Sequence, residues 1–286
     1  MKIRKAVITA GGWGTRFLPI TKSQPKEMLP LLNKPLIQYV VEEAIGSGIE
    51  QIILVTSLGK NAIENYFDRS FELEYFLEQK GETKLLKKMQ KLSSLVNVCY
   101  IRQKEQLGLG HAVLATRDII GDEPFAVLLP DDIIESGLPV LKQMIAIYEQ
   151  YKTSVIAVQR ISHQDIPSYG IIESKEVSPR IFQILSMVEK PAPEKAPSNL
   201  GVVGRYILTP QIFDALAVTN PGKSNEIQLT DALNQLLQQQ LVYAYEFEGE
   251  RYDTGTPLGW LEATVAFGLK HRDFGPALRK HLRRLL

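Results

Sequence analysis

The segment Lys5-Ala-Val-Ile-Thr-Ala-Gly-Gly-Trp-Gly-Thr-Arg16 passes from an apolar run directly into three closely spaced glycines. Such a run predicts a strand buried on both faces. The glycines let backbone N–H groups approach a phosphate or a base edge, which a Cβ would obstruct. The G-x-G-x-x-G spacing of dinucleotide loops is absent, because Phe17 stands where its third glycine would fall. The segment therefore predicts an α/β nucleotide site that is not of the dinucleotide type.

Similar apolar runs recur over the first 160 residues, with helical patterns between them. The predicted strands cover residues 5–10, 51–56, 97–102, 125–130 and 154–159, all expected to be buried on both faces. Helices are predicted from Leu36 to about Gly46 and over residues 138–151. This alternation predicts an α/β fold with a Rossmann-like mixed, mostly parallel sheet flanked by helices.

The second half of the chain has a different rhythm, in which turns as well as helices separate the strands. Its predicted strands cover residues 170–174, 181–187, 200–208 and 241–247 and should extend the same sheet with antiparallel pieces. We expect one domain over residues 1–270, with halves at about 1–135 and 136–270. Residues 271–286 combine arginines with leucines, which indicates a basic amphipathic helix packing on the body or on another subunit, or an anion-binding tail.

Charge and composition exclude several classes of protein. Lys and Arg number 33 against 32 for Asp and Glu, so the net charge of +1 provides no overall field for nucleic acid or anionic membrane. Apolar residues make up 44% and charged residues 23%, as in a globular protein. Cys99 is the only cysteine, which excludes an intrachain disulfide and fits a reducing cytoplasm. No apolar run reaches transmembrane length, and we expect no signal peptide.

Carboxylates follow two of the predicted strands. Asp131 and Asp132 end the strand 125–130, where side chains of an open α/β sheet point into the ligand crevice and hard oxygen ligands suit magnesium on phosphates. Asp253 follows the last strand and by itself would more often be a turn residue than a ligand. Glu189 and Lys190 are adjacent and should face opposite sides of a strand, so they would serve two different groups unless both are solvated.

Two further patterns are interpreted as structural. The stretch from Ala217 to Ser224 fits a permissive phosphate-loop pattern, but no buried strand precedes it and Pro221 interrupts it. We expect Ser224 or Asn225 instead to cap a helix over residues 226–237. His111 is expected near the start of a helix in a capping or packing role.

Together these segments resemble the sugar-nucleotide pyrophosphorylases and, among them, the bacterial UTP-glucose-1-phosphate uridylyltransferases. The match runs nearly end to end. The glycine loop and Glu189-Lys190-Pro191 are common to the superfamily, whereas residues 198–206 and 226–231 are specific to the glucose uridylyltransferases. The other stretches that carry the resemblance are residues 25–30, 61–65, 70–74, 108–112 and 122–131.

The resemblance implies that the phosphate of glucose 1-phosphate attacks the α-phosphorus of UTP, giving UDP-glucose and pyrophosphate with Mg²⁺ as cofactor. Because the attacking phosphate is already ionised, cations matter more than a general base. The resemblance implies Arg16 and Lys26 on the triphosphate, Lys190 on the phosphate of glucose 1-phosphate, and Asp131 and Asp253 on the metal. It also implies nucleotide binding by Ala10, Gly11, Gly12, Gln103 and Gly108, and sugar binding by Gly170 and Glu189. A cytoplasmic homo-oligomer, dimer or tetramer, without nucleic-acid or membrane partners, is expected.

Some positions differ from the uridylyltransferase pattern. Thr9 and Gly11 stand where proline and alanine are frequent, Asn225 where glycine is usual, and Thr254 where cysteine is frequent. Gly11 and the run 253–256 are closer to the thymidylyltransferases. Glucose-1-phosphate thymidylyltransferase, or an enzyme for another NTP and sugar 1-phosphate, is therefore the alternative. A catalytically silent regulatory subunit of the same fold is a more remote one, because the cationic and carboxylate positions are all present.

Overall fold

The structure, a computed structural model, describes residues 1–222 and 225–285. The strands are β1 (Lys5–Thr9), β2 (Pro30–Leu31), β3 (Lys34–Pro35), β4 (Gln51–Thr56), β5 (Asn97–Arg102), β6 (Phe125–Leu128), β7 (Asp132–Glu135), β8 (Val155–Arg160), β9 (Gly170–Ser178), β10 (Ile181–Glu189), β11 (Leu200–Leu208), β12 (Tyr243–Glu246) and β13 (Glu250–Asp253). The helices are α1 (Leu36–Gly46), α2 (Asn61–Phe67), α3 (Phe71–Gln79), α4 (Thr83–Ser93), α5 (Gly108–Leu114), α6 (Arg117–Ile120), α7 (Val140–Tyr151), α8 (Ile212–Val218), α9 (Leu229–Leu236), α10 (Pro257–Lys270) and α11 (Gly275–Leu285).

One large sheet joins strands from both halves of the chain. In the described residues it has nine strands in the order β5-β4-β1-β6-β11-β8-β12-β10-β9. The first four are parallel, as are β8 and β12, whereas β11 and β10 run antiparallel to their neighbours. The mixed, mostly parallel sheet is confirmed, and so is its extension by the second half. The division of the domain at about residue 135 stays a prediction.

The two faces of this sheet carry separate apolar cores. In β1, Ala6 and Ile8 belong to one core and Val7 to the other, because successive side chains of a strand point to opposite faces. Side chains of α1 and α7 complete the first core, and those of α5, α8 and α9 complete the second. Since helices cover both faces, a central strand needs an apolar residue at nearly every position, which explains the run that begins the chain.

Two predicted elements are corrected. Strand β5 is half-buried or exposed along its length rather than buried on both faces, because it lies at the sheet edge. The helix expected over residues 226–237 begins only at Leu229, with Gln228 and not Asn225 at its N-cap. Before it, the Ile227 N–H donates to the Leu107 carbonyl (2.7 Å) and the Ile227 carbonyl accepts from Gly110 N–H (2.8 Å). Lys223 and Ser224 lie outside the described residues.

The basic amphipathic helix expected in the C-terminal segment is α11, although Leu286 lies outside the described residues. Leu278 packs against α10 so closely that a methyl group on Gly268 would lie 2.7 Å from its Cδ2 atom. Arg279 and Arg283 remain exposed. Over the part of the chain that the structure describes, no helix is long and apolar enough to cross a membrane.

Candidate active site

A cleft of two adjoining cavities lies where β1 and β6 end. The first cavity, of ≈ 530 Å³, is lined by the glycine loop together with Lys26 and Gln103. The second, of ≈ 310 Å³, is lined by Gly170, Glu189, Lys190 and Asp253 among others. Four residues line both cavities, so the two form one continuous cleft: Leu109, Leu129, Asp131 and Glu226.

The glycine loop borders the first cavity with very different space around its members. A Cβ on Gly11 would lie 3.0 Å from Gln103 Oε1, whereas one on Gly12 would have no atom within 4 Å. Trp13, next along the loop, is 73% exposed. The loop is therefore closed against Gln103 at Gly11 and open to the cleft at Gly12.

The Gln103 side chain is held in one orientation. Its Nε2 lies 2.8 Å from His111 Nδ1 and donates to the Gly108 carbonyl at 3.3 Å. His111 thus contacts the Gln103 amide, in addition to the capping or packing role expected for it. Ala10 is fully buried and donates its N–H to Val55, and it does not line the cavity.

At Gly108, the start of α5 lies very close to segment 226–228 in the wall of the cleft. Its φ is +92°, and a Cβ there would lie 2.8 Å from Glu226 Cβ and 3.0 Å from the Ile227 carbonyl. A side chain would be excluded both by the backbone conformation and by lack of space. The glycine therefore permits segment 226–228 to lie against the start of α5.

Lys26 and Asp131 form the central ion pair of the cleft, with Nζ 2.6 Å from Oδ2. Burial alone would lower the pKa of Lys26, but the Asp131 and Glu27 carboxylates raise it above its ordinary value. Burial alone would raise the pKa of Asp131, and the Lys26 ammonium holds it below its ordinary value. Both groups are therefore charged at neutral pH, as binding of phosphates and cations requires.

The two carboxylates predicted to hold a metal lie close together across the turn after β13. A Cβ on Gly255 would be 3.0 Å from both Asp131 Oδ2 and Asp253 Oδ1, so these oxygens face the same small space. Across the described residues, no three His, Cys, Asp or Glu side chains are grouped as a metal site. Two carboxylates fit Mg²⁺, which takes its other ligands from phosphates and water.

The second cavity collects the predicted sugar-binding residues. Gly170 and Glu189 are cross-strand partners in β9 and β10, and Glu189 Oε2 accepts from the Thr230 hydroxyl at 2.7 Å. Strand β9 also folds back on β11 through one bridge, between Ile171 and Gly201. The base of the cavity is thus built from paired backbone.

Glu189 and Lys190 do not face opposite sides as expected. Lys190 Nζ lies 3.3 Å from Glu189 Oε1. The strand geometry that the expectation assumed ends at Glu189, and Lys190 has a left-handed φ of +45°. The Lys190 side chain is 56% exposed, so this pair leaves the ammonium accessible to an anion.

Arg16 is not brought into the cleft. Its side chain is exposed, lines neither cavity, and reaches the Gly255 carbonyl at 3.4 Å. Its role on the triphosphate stays a prediction, as do the other site roles implied by the resemblance.

A network of buried charges that no sequence motif indicated lies under the second cavity. Asp132 accepts from Arg251 Nε (2.5 Å) and from Gly204 N–H (3.0 Å), and Arg251 also donates to the Tyr169 hydroxyl at 2.5 Å. Burial would lower the pKa of Arg251, but Asp132 outweighs this and raises it. Behind Asp132 lies Arg205, fully buried. The signal in the sequence that could have indicated this network was Arg205, a charged residue within the otherwise apolar strand β11.

Comparison with known proteins gives concordant results. The nucleotidyl transferase family model matches residues 5–268. UTP–glucose-1-phosphate uridylyltransferase 2 of Staphylococcus saprophyticus is 51% identical over 284 residues, 99% of this chain and 98% of its own length. UTP-bound UGPase from Acinetobacter baumannii superposes with a TM-score of 0.92 at 42% identity, covering 99% of this chain and 100% of its own. UDP-glucose pyrophosphorylase complexed with UDP-glucose gives 0.87 at 45% identity, covering 94% and 100%.

Proposed function

The chain belongs to the nucleotidyl transferase family, and on that premise we propose that it catalyses uridylyl transfer from UTP to glucose 1-phosphate, forming UDP-glucose and pyrophosphate. The observation that carries the proposal is the continuous cleft with Asp131 in the wall common to both cavities. Relatives named as UTP–glucose-1-phosphate uridylyltransferases and a UDP-glucose-bound neighbour match nearly the whole chain and support the substrate pair.

The two cavities divide the substrates between them. The nucleotide binds in the first cavity, with Gly11, Gly12, Gln103 and Gly108 around its base. Glucose 1-phosphate binds in the second, with Gly170 and Glu189 on the sugar. The α-phosphate of the nucleotide then lies near Asp131, where the cavities meet, so the attacking phosphate and the α-phosphorus are held for in-line displacement.

The reaction needs neutralisation of charge rather than a base. An oxygen of the sugar phosphate forms a bond to the α-phosphorus as the bond to the leaving pyrophosphate breaks, and no proton must be removed from the nucleophile. Lys190, with its accessible ammonium, binds the attacking phosphate. Lys26 neutralises the negative charge that develops on the phosphoryl oxygens, and its raised pKa keeps it protonated for this role.

Asp131 and Asp253 would hold Mg²⁺, which when bound neutralises phosphate charge and orients the triphosphate. Lys26 Nζ lies 2.6 Å from Asp131 Oδ2, beside the proposed metal ligand. One ammonium, with three N–H donors, can thus contact this carboxylate and the triphosphate together.

Pyrophosphate release measured with glucose 1-phosphate and each of UTP, dTTP, ATP, CTP and GTP tests the proposal. We expect the highest kcat/KM with UTP. A value for dTTP equal to or above that for UTP would assign the chain to the thymidylyltransferases, and no turnover with any nucleotide would indicate the silent subunit. Repeating the UTP reaction with other hexose 1-phosphates tests the choice of glucose.

We also propose a cytoplasmic homo-oligomer, dimer or tetramer. The unpaired Cys99 suits a reducing compartment, and the resemblance supports self-association. Light scattering coupled to gel filtration would contradict this proposal if it gave the mass of one chain over the concentration range of the activity assay.

A further inference from the structure

A buried ion pair lies behind the turn that carries Asp131. Arg205 in β11 is 0% exposed and is clamped by Glu43 of α1, with Nε 3.1 Å from both carboxylate oxygens and Nη2 2.8 Å from Oε2. Glu43 Oε1 also accepts from the N–H of Leu141, at the start of α7. Two helices therefore fix the position of this guanidinium.

The remaining donors of Arg205 point at the turn. Nη1 donates to the Leu129 and Gly204 carbonyls, each at 3.0 Å, and Nη2 donates to the Asp132 carbonyl at 2.7 Å. Leu129 and Asp132 stand immediately before and after Pro130-Asp131. The guanidinium thus donates hydrogen bonds to the backbone on both sides of Asp131, the residue where the two cavities meet.

The stability of the core alone does not require the Arg205–Glu43 pair. An apolar side chain of similar volume can replace a buried ion pair without loss of stability, whereas here one planar group satisfies three carbonyls and a carboxylate at once. A lysine would carry the same charge but could not present the same fork of donors. The specific property of the arginine is therefore geometric.

We propose that Arg205, held by Glu43, is a positioning residue that sets the orientation of Asp131 in the reaction. The inference rests on the proposed function. Asp131 Oδ2 must meet Lys26 on one side and share the space next to Gly255 with Asp253 on the other. A shift of the turn would move this carboxylate relative to both groups, and a misplacement of about 1 Å can cost on the order of 100-fold in rate.

A double-mutant cycle between Arg205→Lys and Asp131→Asn tests the proposal. Single-turnover transfer from radiolabelled UTP measures the chemical step. We expect Arg205→Lys to lower the rate at least tenfold in the wild-type background but less than threefold in the Asp131→Asn background, because Arg205 acts through Asp131. Equal losses in both backgrounds, or no loss in the wild-type background, would overturn it.

Arg160→Lys is the matched control, because this arginine lies on the neighbouring strand β8 in an exposed pair with Glu246. We expect wild-type rates from it. If Arg205→Lys does not fold, Glu43→Gln replaces it in the same cycle, since it keeps the shape of the clamp and removes its charge.

Hydrogen exchange supplies a readout that does not depend on activity. The Leu129 N–H donates to Gly204, and the Thr254 N–H donates to the Asp131 carbonyl at 2.9 Å. In Arg205→Lys we expect both amides to exchange at least tenfold faster, with no change in β4. Unchanged or uniformly faster exchange would overturn the positioning role. Absence of any turnover in the wild-type protein would instead overturn the proposed function, and the exchange result would still decide the positioning role.

Discussion

Replacing Gly259 with alanine should displace Asp253 from the other side of the cleft. Gly259 lies in the first turn of α10, and its N–H is capped by the Thr256 hydroxyl at 3.1 Å. A Cβ there would lie 2.0 Å from the Asp253 carbonyl oxygen. Since ordinary C···O contacts are about 3.3 Å, the strand end and α10 must separate by roughly 1.3 Å.

Two effects of the substitution oppose each other. Alanine favours a helix over glycine by about 1 kcal/mol, whereas forcing a group into packed structure costs about 1–3 kcal/mol or more. Because the clash involves backbone that cannot rotate away, we expect a net loss of about 2 kcal/mol, which lowers the Tm of a chain of 286 residues by roughly 3 °C. The rate of pyrophosphate release should fall about 100-fold, since the displacement exceeds 1 Å at a residue of the candidate metal site.

Gly137→Ala provides the control, because a Cβ at Gly137 would meet no atom within 4 Å. Differential scanning calorimetry measures Tm and the pyrophosphate assay measures the rate for both variants. If Gly259→Ala retained the wild-type Tm and rate, α10 would not be holding Asp253 in place.

Three further outcomes are expected. Lys190→Ala should raise KM for glucose 1-phosphate about tenfold or more with little change in kcat, whereas Lys26→Ala should mainly lower kcat. Steady-state kinetics that gave the reverse pattern would exchange the two roles. Excess EDTA should abolish turnover, and Asp131→Asn and Asp253→Asn should each reduce the rate far more than Tm; full activity in the chelator would refute a magnesium requirement. Hydrogen bonds from Arg69 hold the pKa of Glu74 below its ordinary value of 4.5, so their stabilisation is present above that pH and disappears as pH falls. The unfolding free energy of Arg69→Ala should thus lie below that of the wild type at pH 7 and converge with it in acid, and a gap independent of pH would contradict this.

The strands of the sheet centre could be predicted because burial on both faces leaves a direct record in the sequence. The helix covering one face, α1, could be predicted because its apolar residues recur at helical spacing. The exposure of β5 could not be predicted, since contacts between distant segments decide which strand lies at the edge of the sheet. The start of α9 was missed because the hydrogen bonds of Ile227 to Leu107 and Gly110 override the local capping signal.

The candidate site was predicted unevenly for the same reason. Asp131, Lys26 and Gln103 follow or flank predicted elements, and the structure brings them to one cleft. The pairing of Arg205 with Glu43 joins residues that are 162 positions apart, and neither has a motif around it that indicates a partner. The helical periodicity of α1 gave only a partial indication of this pair. Glu43 follows Val40 by three residues, which places it next to the buried face of α1.

The contrast between the open loop at Gly12 and the bridge between Ile171 and Gly201 has an evolutionary consequence. A new side chain at Gly12 meets no atom, and neighbouring Trp13 is already at the surface. At Gly201 a Cβ would lie 2.8 Å from Ile161, so a change there must be matched by others. Directed evolution should therefore accept single substitutions at Gly12, whereas a substitution at Gly201 would have to be accompanied by a smaller residue at Ile161.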